Sequence, residues 1–172
     1  MNPAFNTVIA ASDAERRDLF LATAARVGTA VQNVEKDFWV CWTLDALFNG
    51  FEAGGPRLLF KGGTSLSKVF GLISRFSEDI DITVFRDDLG QAAEADELEA
   101  LSGKQRRIRL DAIRTACQAF IKGPMIGQLE KQAASVMRAN SFRLELDPDD
   151  ADGQSVLLWY PEIGRASCRE RV

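Results

Sequence analysis

The stretch from Leu58 to Val84 constrains this chain more than any other. A short apolar run, Leu58 to Phe60, stops abruptly at Lys61, Gly62, Gly63 and Thr64, and Ser65 to Phe70 then reads as helix. Further on, Ile80, Ile82 and Val84 alternate with Asp79, Asp81 and Thr83, the period of a strand with one buried face. The two carboxylates therefore share the opposite face, close enough together to hold one or two divalent cations. Alone, an Asp-x-Asp is commonly just the solvent side of a strand, and a Gly-Gly pair just a tight turn. Their order gives them joint meaning: strand, paired glycines, helix, then a strand bearing Asp-x-Asp. The glycines let the backbone approach a phosphate, and Thr64 and Ser65 open the helix with free amides and hydroxyls.

Composition narrows the chemistry. With 172 residues, 46% of them hydrophobic and 27% charged, the chain suits one ordinary core. The run Phe38 to Phe48 is interrupted by Thr43 and Asp45 and is too short for a bilayer. Met1 to Ala10 lacks the basic start and long apolar stretch of a signal peptide, so a cytoplasmic location is expected. The cysteines, Cys41, Cys117 and Cys168, are odd in number and widely spaced, which argues against a disulfide framework. There is no histidine. Imidazole acid–base catalysis is thereby excluded, zinc would need an all-cysteine or carboxylate site, and a hard, oxygen-ligated ion is the expected metal. A net charge of −4 argues against a uniformly basic surface for nucleic acid but leaves room for a local patch.

Around the central segment, other elements announce themselves. Ser12 and Glu15 form a capping box before a helical pattern that runs to Gly28. Asn33 can cap a second helix, ending at Asn49 and Gly50, in which Phe38, Trp39 and Trp42 read as core rather than as base-stacking platforms. Gln91 to Ser102 is a polar connection or an acidic helix, followed by an amphipathic helix from about Lys104 to Lys122 and another from Pro124 to near Asn140. Its polar row, Arg107, Asp111, Arg114 and Gln118, is a solvated face or part of an RNA-binding surface. Phe142, Leu144 and Leu146 alternate with Arg143 and Glu145, and with Val156 to Trp159 across the Asp147 to Gly153 turn they make a hairpin.

The string FKGGTSLSKVFGLISRFSEDIDI, Phe60 to Ile82, resembles the corresponding segment of the AbiEii/AbiGii toxin family of DNA polymerase β-like nucleotidyltransferases. EKDFWVCWTLDALF, Glu35 to Phe48, is similar to the helix that precedes it there. The resemblance implies an α+β fold: a polymerase β-like core with a small mixed sheet flanked by helices, here incomplete. It implies a toxin, neutralised by a cognate antitoxin protein, that moves a nucleoside monophosphate from a nucleoside triphosphate to a hydroxyl acceptor such as tRNA or another RNA. Asp79 and Asp81 would be the catalytic residues and would hold Mg²⁺ or Mn²⁺, with Gly62, Gly63, Thr64, Ser65 and Lys68 binding nucleotide. Lys68 and Lys61 would add charge near the triphosphate or stand exposed, Arg75 and Ser77 would order the loop before the second strand or touch phosphate, and Glu78 points to the other face.

The match has departures. Fifteen residues separate Gly63 from Asp79, somewhat more than the superfamily's generic spacing. The family's third carboxylate and a further lysine motif are not found; Glu145 is the nearest substitute, and its alternation suits a solvent-facing strand residue better. Residues 1–163 are expected to form one partial nucleotidyltransferase domain, while the arginine-rich stretch 164–172 is set apart as a non-native or disordered tail. Two rivals stay open: a nucleotide-binding module without activity, and an Asp-x-Asp metal-dependent glycosyltransferase, which the Gly-Gly helix start disfavours. A P-loop is excluded, because Lys68 has no glycine before it and no serine or threonine after it.

Overall fold

The computed structural model describes residues 1–68, 79–163 and 168–172. Its first helix, α1 (Pro3–Ala10), is an addition to the sequence reading. Asn2 caps it by accepting from the Ala4 amide at 3.0 Å, and Pro3 stands in the first turn, where its missing N–H is harmless. Helix α2 (Asp13–Val27) has both expected ends. Glu15 accepts from the Ser12 amide at 2.9 Å, the Glu15 amide donates back to the Ser12 hydroxyl, and Gly28 closes the helix at φ 71°.

Helix α3 (Val31–Asn49) begins before the cap expected at Asn33. Ala30 takes the cap position with no side-chain bond, and the Asn33 side chain donates through Nδ2 to the Thr29 hydroxyl at 3.1 Å. Packing explains why the helix does without a cap: Trp39, Val40, Trp42 and Ala46 are fully buried, and the Trp39 ring stacks on Tyr160 at 4.7 Å. Of the residues read as core, Trp39 and Trp42 are fully buried and Phe38 packs half-buried against them, while Phe48 is exposed.

Strands β1 (Leu58–Lys61) and β2 (Asp81–Val84) pair antiparallel, with Leu58 opposite Val84 and Lys61 opposite Asp81. Between them helix α4 (Gly62–Lys68) starts directly after β1 rather than at Ser65; its expected end at Phe70 lies outside the described residues. The far end of the pair is clamped from within. Arg57 donates its amide and Nε to Asp88 at 2.8 Å, and its guanidinium lies 4.6 Å from the Phe85 ring centre. Asp88 belongs to a 3-10 turn, Arg86–Leu89, that follows β2.

The polar connection contains the acidic helix α5 (Ala95–Ala100), then α6 (Gly103–Phe120). Two basic residues of α6 hold this segment in place. Arg106 donates to the carbonyls of Leu98 and Glu99 at 2.9 and 2.7 Å, and Arg109 to the Ala92 carbonyl at 2.7 Å. No new helix starts at Pro124. The chain instead passes through a π turn, Ile121–Met125, with Pro124 inside it, into α7 (Ile126–Val136). The wide turn gives the ring room and forgoes a bond that proline cannot donate, while Ile121 and Met125 are held in the core.

The expected hairpin is β3 (Arg143–Leu146) with β4 (Val156–Tyr160). A further strand, β5 (Cys168–Arg171), pairs with the other edge of β4, so the tail is strand there rather than disordered. The α+β class holds, with its described strands in two antiparallel sheets, β1–β2 and β3–β4–β5, rather than one. A single buried cluster that includes Trp39, Ile80, Ile121, Leu129 and Leu158 ties helices and sheets together. Among the described residues no helix is long and apolar enough to cross a membrane.

Candidate active site

Ile80 anchors the site. It is 3% exposed, so burying its side chain contributes about 1.5–3 kcal/mol to holding the segment down. Its neighbours Asp79 and Asp81 are both exposed, as strand alternation requires. Asp81 lies in β2 and Asp79 two residues earlier, just before the strand.

Gly62 stands hard against this pair. Its φ of 75° is left-handed, which glycine adopts without cost. A Cβ built there would collide with the Asp81 carboxylate, coming within 2.8 Å of its Cγ and 3.0 Å of its Cβ. The close approach needs glycine on two counts, and it sets the backbone at the start of α4 beside one of the two acids.

Thr64 and Ser65 serve the same geometry from the inside. Thr64 is fully buried and its hydroxyl donates to the Asp79 carbonyl; Ser65 is 4% exposed and its hydroxyl donates to the Gly62 carbonyl at 2.8 Å. These hydroxyls tie α4 to the acidic segment and fix the Gly62 turn. Lys68 faces away toward α3. Its ammonium pairs with Asp37, and burial lowers its pKa.

A cleft of about 380 Å³ opens at the acids. Its lining includes Asp79, Asp81 and Lys61, so of the two lysines expected near the triphosphate it is Lys61, opposite Asp81 in the strand pair, that reaches the cleft. Gly62, Gly63, Thr64, Ser65 and Lys68 do not line it. An apolar wall continues from the acids through Cys117 of α6 and Ile121 and Met125 of the π turn. Ile121 and Met125 are buried and Cys117 half-buried, and nothing local in the sequence says which site they face.

Among the described residues no group of three or more acids or cysteines stands together as a metal cage. Glu145, the one substitute for a third carboxylate, is occupied elsewhere: it accepts from Trp159 Nε1 at 2.7 Å and pairs with Arg143 at 3.2 Å. Arg75, Ser77 and Glu78 lie outside the described residues. The donor set is thus two exposed carboxylates, which suit a hard divalent ion that takes its remaining ligands from water and a bound phosphate.

Neither curated proteins nor solved structures give a match to the chain. A family model described as nucleotidyl transferase AbiEii toxin, type IV toxin–antitoxin system, matches residues 45–170, a span that takes in β1, Gly62, both aspartates and every residue lining the cleft but Val172. The chain therefore belongs to the AbiEii family of nucleotidyltransferase toxins.

Proposed function

We propose that this chain transfers a nucleoside monophosphate from a nucleoside triphosphate to a hydroxyl on RNA, forming a phosphodiester as the α–β phosphoanhydride breaks and pyrophosphate leaves, with tRNA the leading acceptor, and that a cognate antitoxin restrains it. Family membership supports nucleotidyl transfer and a toxin–antitoxin setting. The observation that carries the finer reading is the meeting of Gly62 with Asp81, which lines the cleft. There the triphosphate would lie beside Lys61, with the Gly62–Gly63 turn packed behind Asp81 rather than lining the cleft, and Asp79 and Asp81 would hold Mg²⁺ or Mn²⁺. A divalent ion so bound neutralises charge on the triphosphate and on the attacking oxygen. The acids set its position, while Thr64 and Ser65 keep the acids and the turn in register. Such an acceptor and donor place the work in the cytoplasm.

A second reading, nucleotide binding without transfer, is favoured by the missing third carboxylate among the described residues. One experiment separates them. Purified protein is incubated with each α-³²P nucleoside triphosphate, Mg²⁺ and total RNA, beside the Asp79→Ala, Asp81→Ala double variant. Label on RNA that the double variant fails to add supports transfer. Nucleotide retained by the wild-type protein with no label on RNA supports the binding module.

A further inference from the structure

The connection between β3 and β4 runs nine residues, Asp147 to Ser155, and its last two residues line the cleft. Asp150 gathers it from inside, accepting from the amides of Asp152, Gln154 and Ser155 at 2.9, 2.8 and 2.8 Å. Those bonds, the Gln154 amide first and the Ser155 hydroxyl next, hold its pKa down to about 2. A second set of contacts docks the turn on the helix behind the cleft. Gln118 of α6 donates to the Asp152 carbonyl at 2.5 Å, and a Cβ at Gly153 would lie 3.4 Å from Lys122 Nζ in the π turn. The residues after the turn are therefore set relative to Ile121 and Met125, the apolar wall of the same cleft.

That arrangement brings one exposed side-chain amide, Gln154, into the lining of the same cleft as the acid pair and the apolar Ile121 and Met125. A nucleotide carries matching groups: charged phosphates, and a flat apolar base with a polar edge. The cleft volume of about 380 Å³ falls in the range of small-ligand sites. The π turn that supplies the wall is a distortion often found at functional sites.

We propose that the slot between Ile121, Met125 and Gln154 is the nucleobase subsite, and that the Gln154 amide reads the polar edge of the base and sets the nucleotide preference. The assignment rests on the nucleotidyl-transfer reading of the acid pair. An amide offers one donor beside one acceptor, which complements a base edge that presents an acceptor beside a donor. A carboxylate offers two acceptors, and only guanine, through N1–H and its N2 amino group, presents two adjacent donors.

Equilibrium dialysis of the four nucleoside triphosphates with Mg²⁺, on the wild-type protein, Gln154→Ala and Gln154→Glu, tests this without needing an acceptor. The wild-type protein should discriminate among the four. Gln154→Ala should compress the ranking, losing about 3- to 10-fold on the preferred nucleotide. Gln154→Glu should move the ranking toward GTP. Equal affinities across the four in the wild type, or variants that leave the ranking in place, would overturn the subsite while triphosphate binding itself left the transfer reading standing. Failure of the wild-type protein to bind any triphosphate would overturn both.

Discussion

Replacing Gly62 by alanine isolates what the close approach to Asp81 does. The left-handed backbone at φ 75° alone costs an alanine about 1–2 kcal/mol. Gly28 supplies the control, since its φ is 71° and a Cβ there meets no atom within 4 Å. Both alanine variants should therefore share the backbone penalty, a fall in Tm of about 2–8 °C for a chain of this size. Only Gly62→Ala adds a collision. Turning the Asp81 side chain to another rotamer relieves the contact with its carboxylate but not the 3.0 Å contact with Asp81 Cβ, which moves only if β2 moves. The rotamer change carries the carboxylate by about 1 Å or more, and under the proposed metal-binding role a misplacement of that size is worth about 100-fold in rate. Thermal unfolding by circular dichroism and label transfer to RNA should thus give Gly62→Ala a loss of about 100-fold and Gly28→Ala nearly full activity. Equal activity in the two variants would refute the role given to the Gly62–Asp81 contact.

Thr64→Val keeps the shape but leaves the Asp79 carbonyl without that donor, and urea unfolding should show a loss of about 1–3 kcal/mol. Trp39→Ala removes a fully buried ring stacked on Tyr160, and the same measurement should show about 3–5 kcal/mol. Glu35 is 4% exposed, and burial raises its pKa despite the bond donated by the Ile163 amide, with Glu162 adding to the rise and Arg16 opposing it. The folded chain then holds that proton more tightly than the unfolded one. Its contribution is therefore most favourable below the ordinary glutamate range and is lost as pH rises from about 4.3 through the folded value. Glu35→Gln should accordingly gain Tm relative to wild type at pH 7 and lose that advantage near pH 4. Asp150 runs the other way. Its depressed pKa stabilises the turn above the ordinary aspartate range, and that support should fade from about pH 4 down to about 2, so Asp150→Asn should flatten the acid limb of a Tm-versus-pH curve.

What the sequence makes legible is what neighbours along the chain decide. The Ser12–Glu15 box, the Gly28 stop, the β3–β4 hairpin and the Asp79–Ile80–Asp81 alternation are local patterns, and each element stands where its pattern puts it. Helix α1 was within reach by the same logic, through Asn2 as cap and Pro3 in the first turn. The differences come from contacts distant in sequence. Burial of its aromatic face lets α3 begin without Asn33 as cap, and the core grip on Ile121 and Met125 carries the helix through Pro124. At the site, Asp37 engages Lys68, Trp159 engages Glu145, and Thr64 turns inward to the Asp79 carbonyl. A helical lysine, a strand glutamate and a helix-start threonine carry no local mark of those partners. Gln154 was invisible for the same reason, because only the folded chain brings the end of that turn to the wall of the acid cleft.

The most direct test of the account is whether Asp79 and Asp81 together hold a divalent ion. Electron paramagnetic resonance of Mn²⁺ titrated into the protein, with and without a non-hydrolysable nucleoside triphosphate, counts bound ions on the wild type and on the Asp79→Asn, Asp81→Asn double variant, which removes both charges at nearly constant volume. The account predicts Mn²⁺ bound to the wild type, more tightly with the triphosphate present, and released by the double variant while its Tm stays close to wild type. Undiminished Mn²⁺ binding by a folded double variant would contradict it.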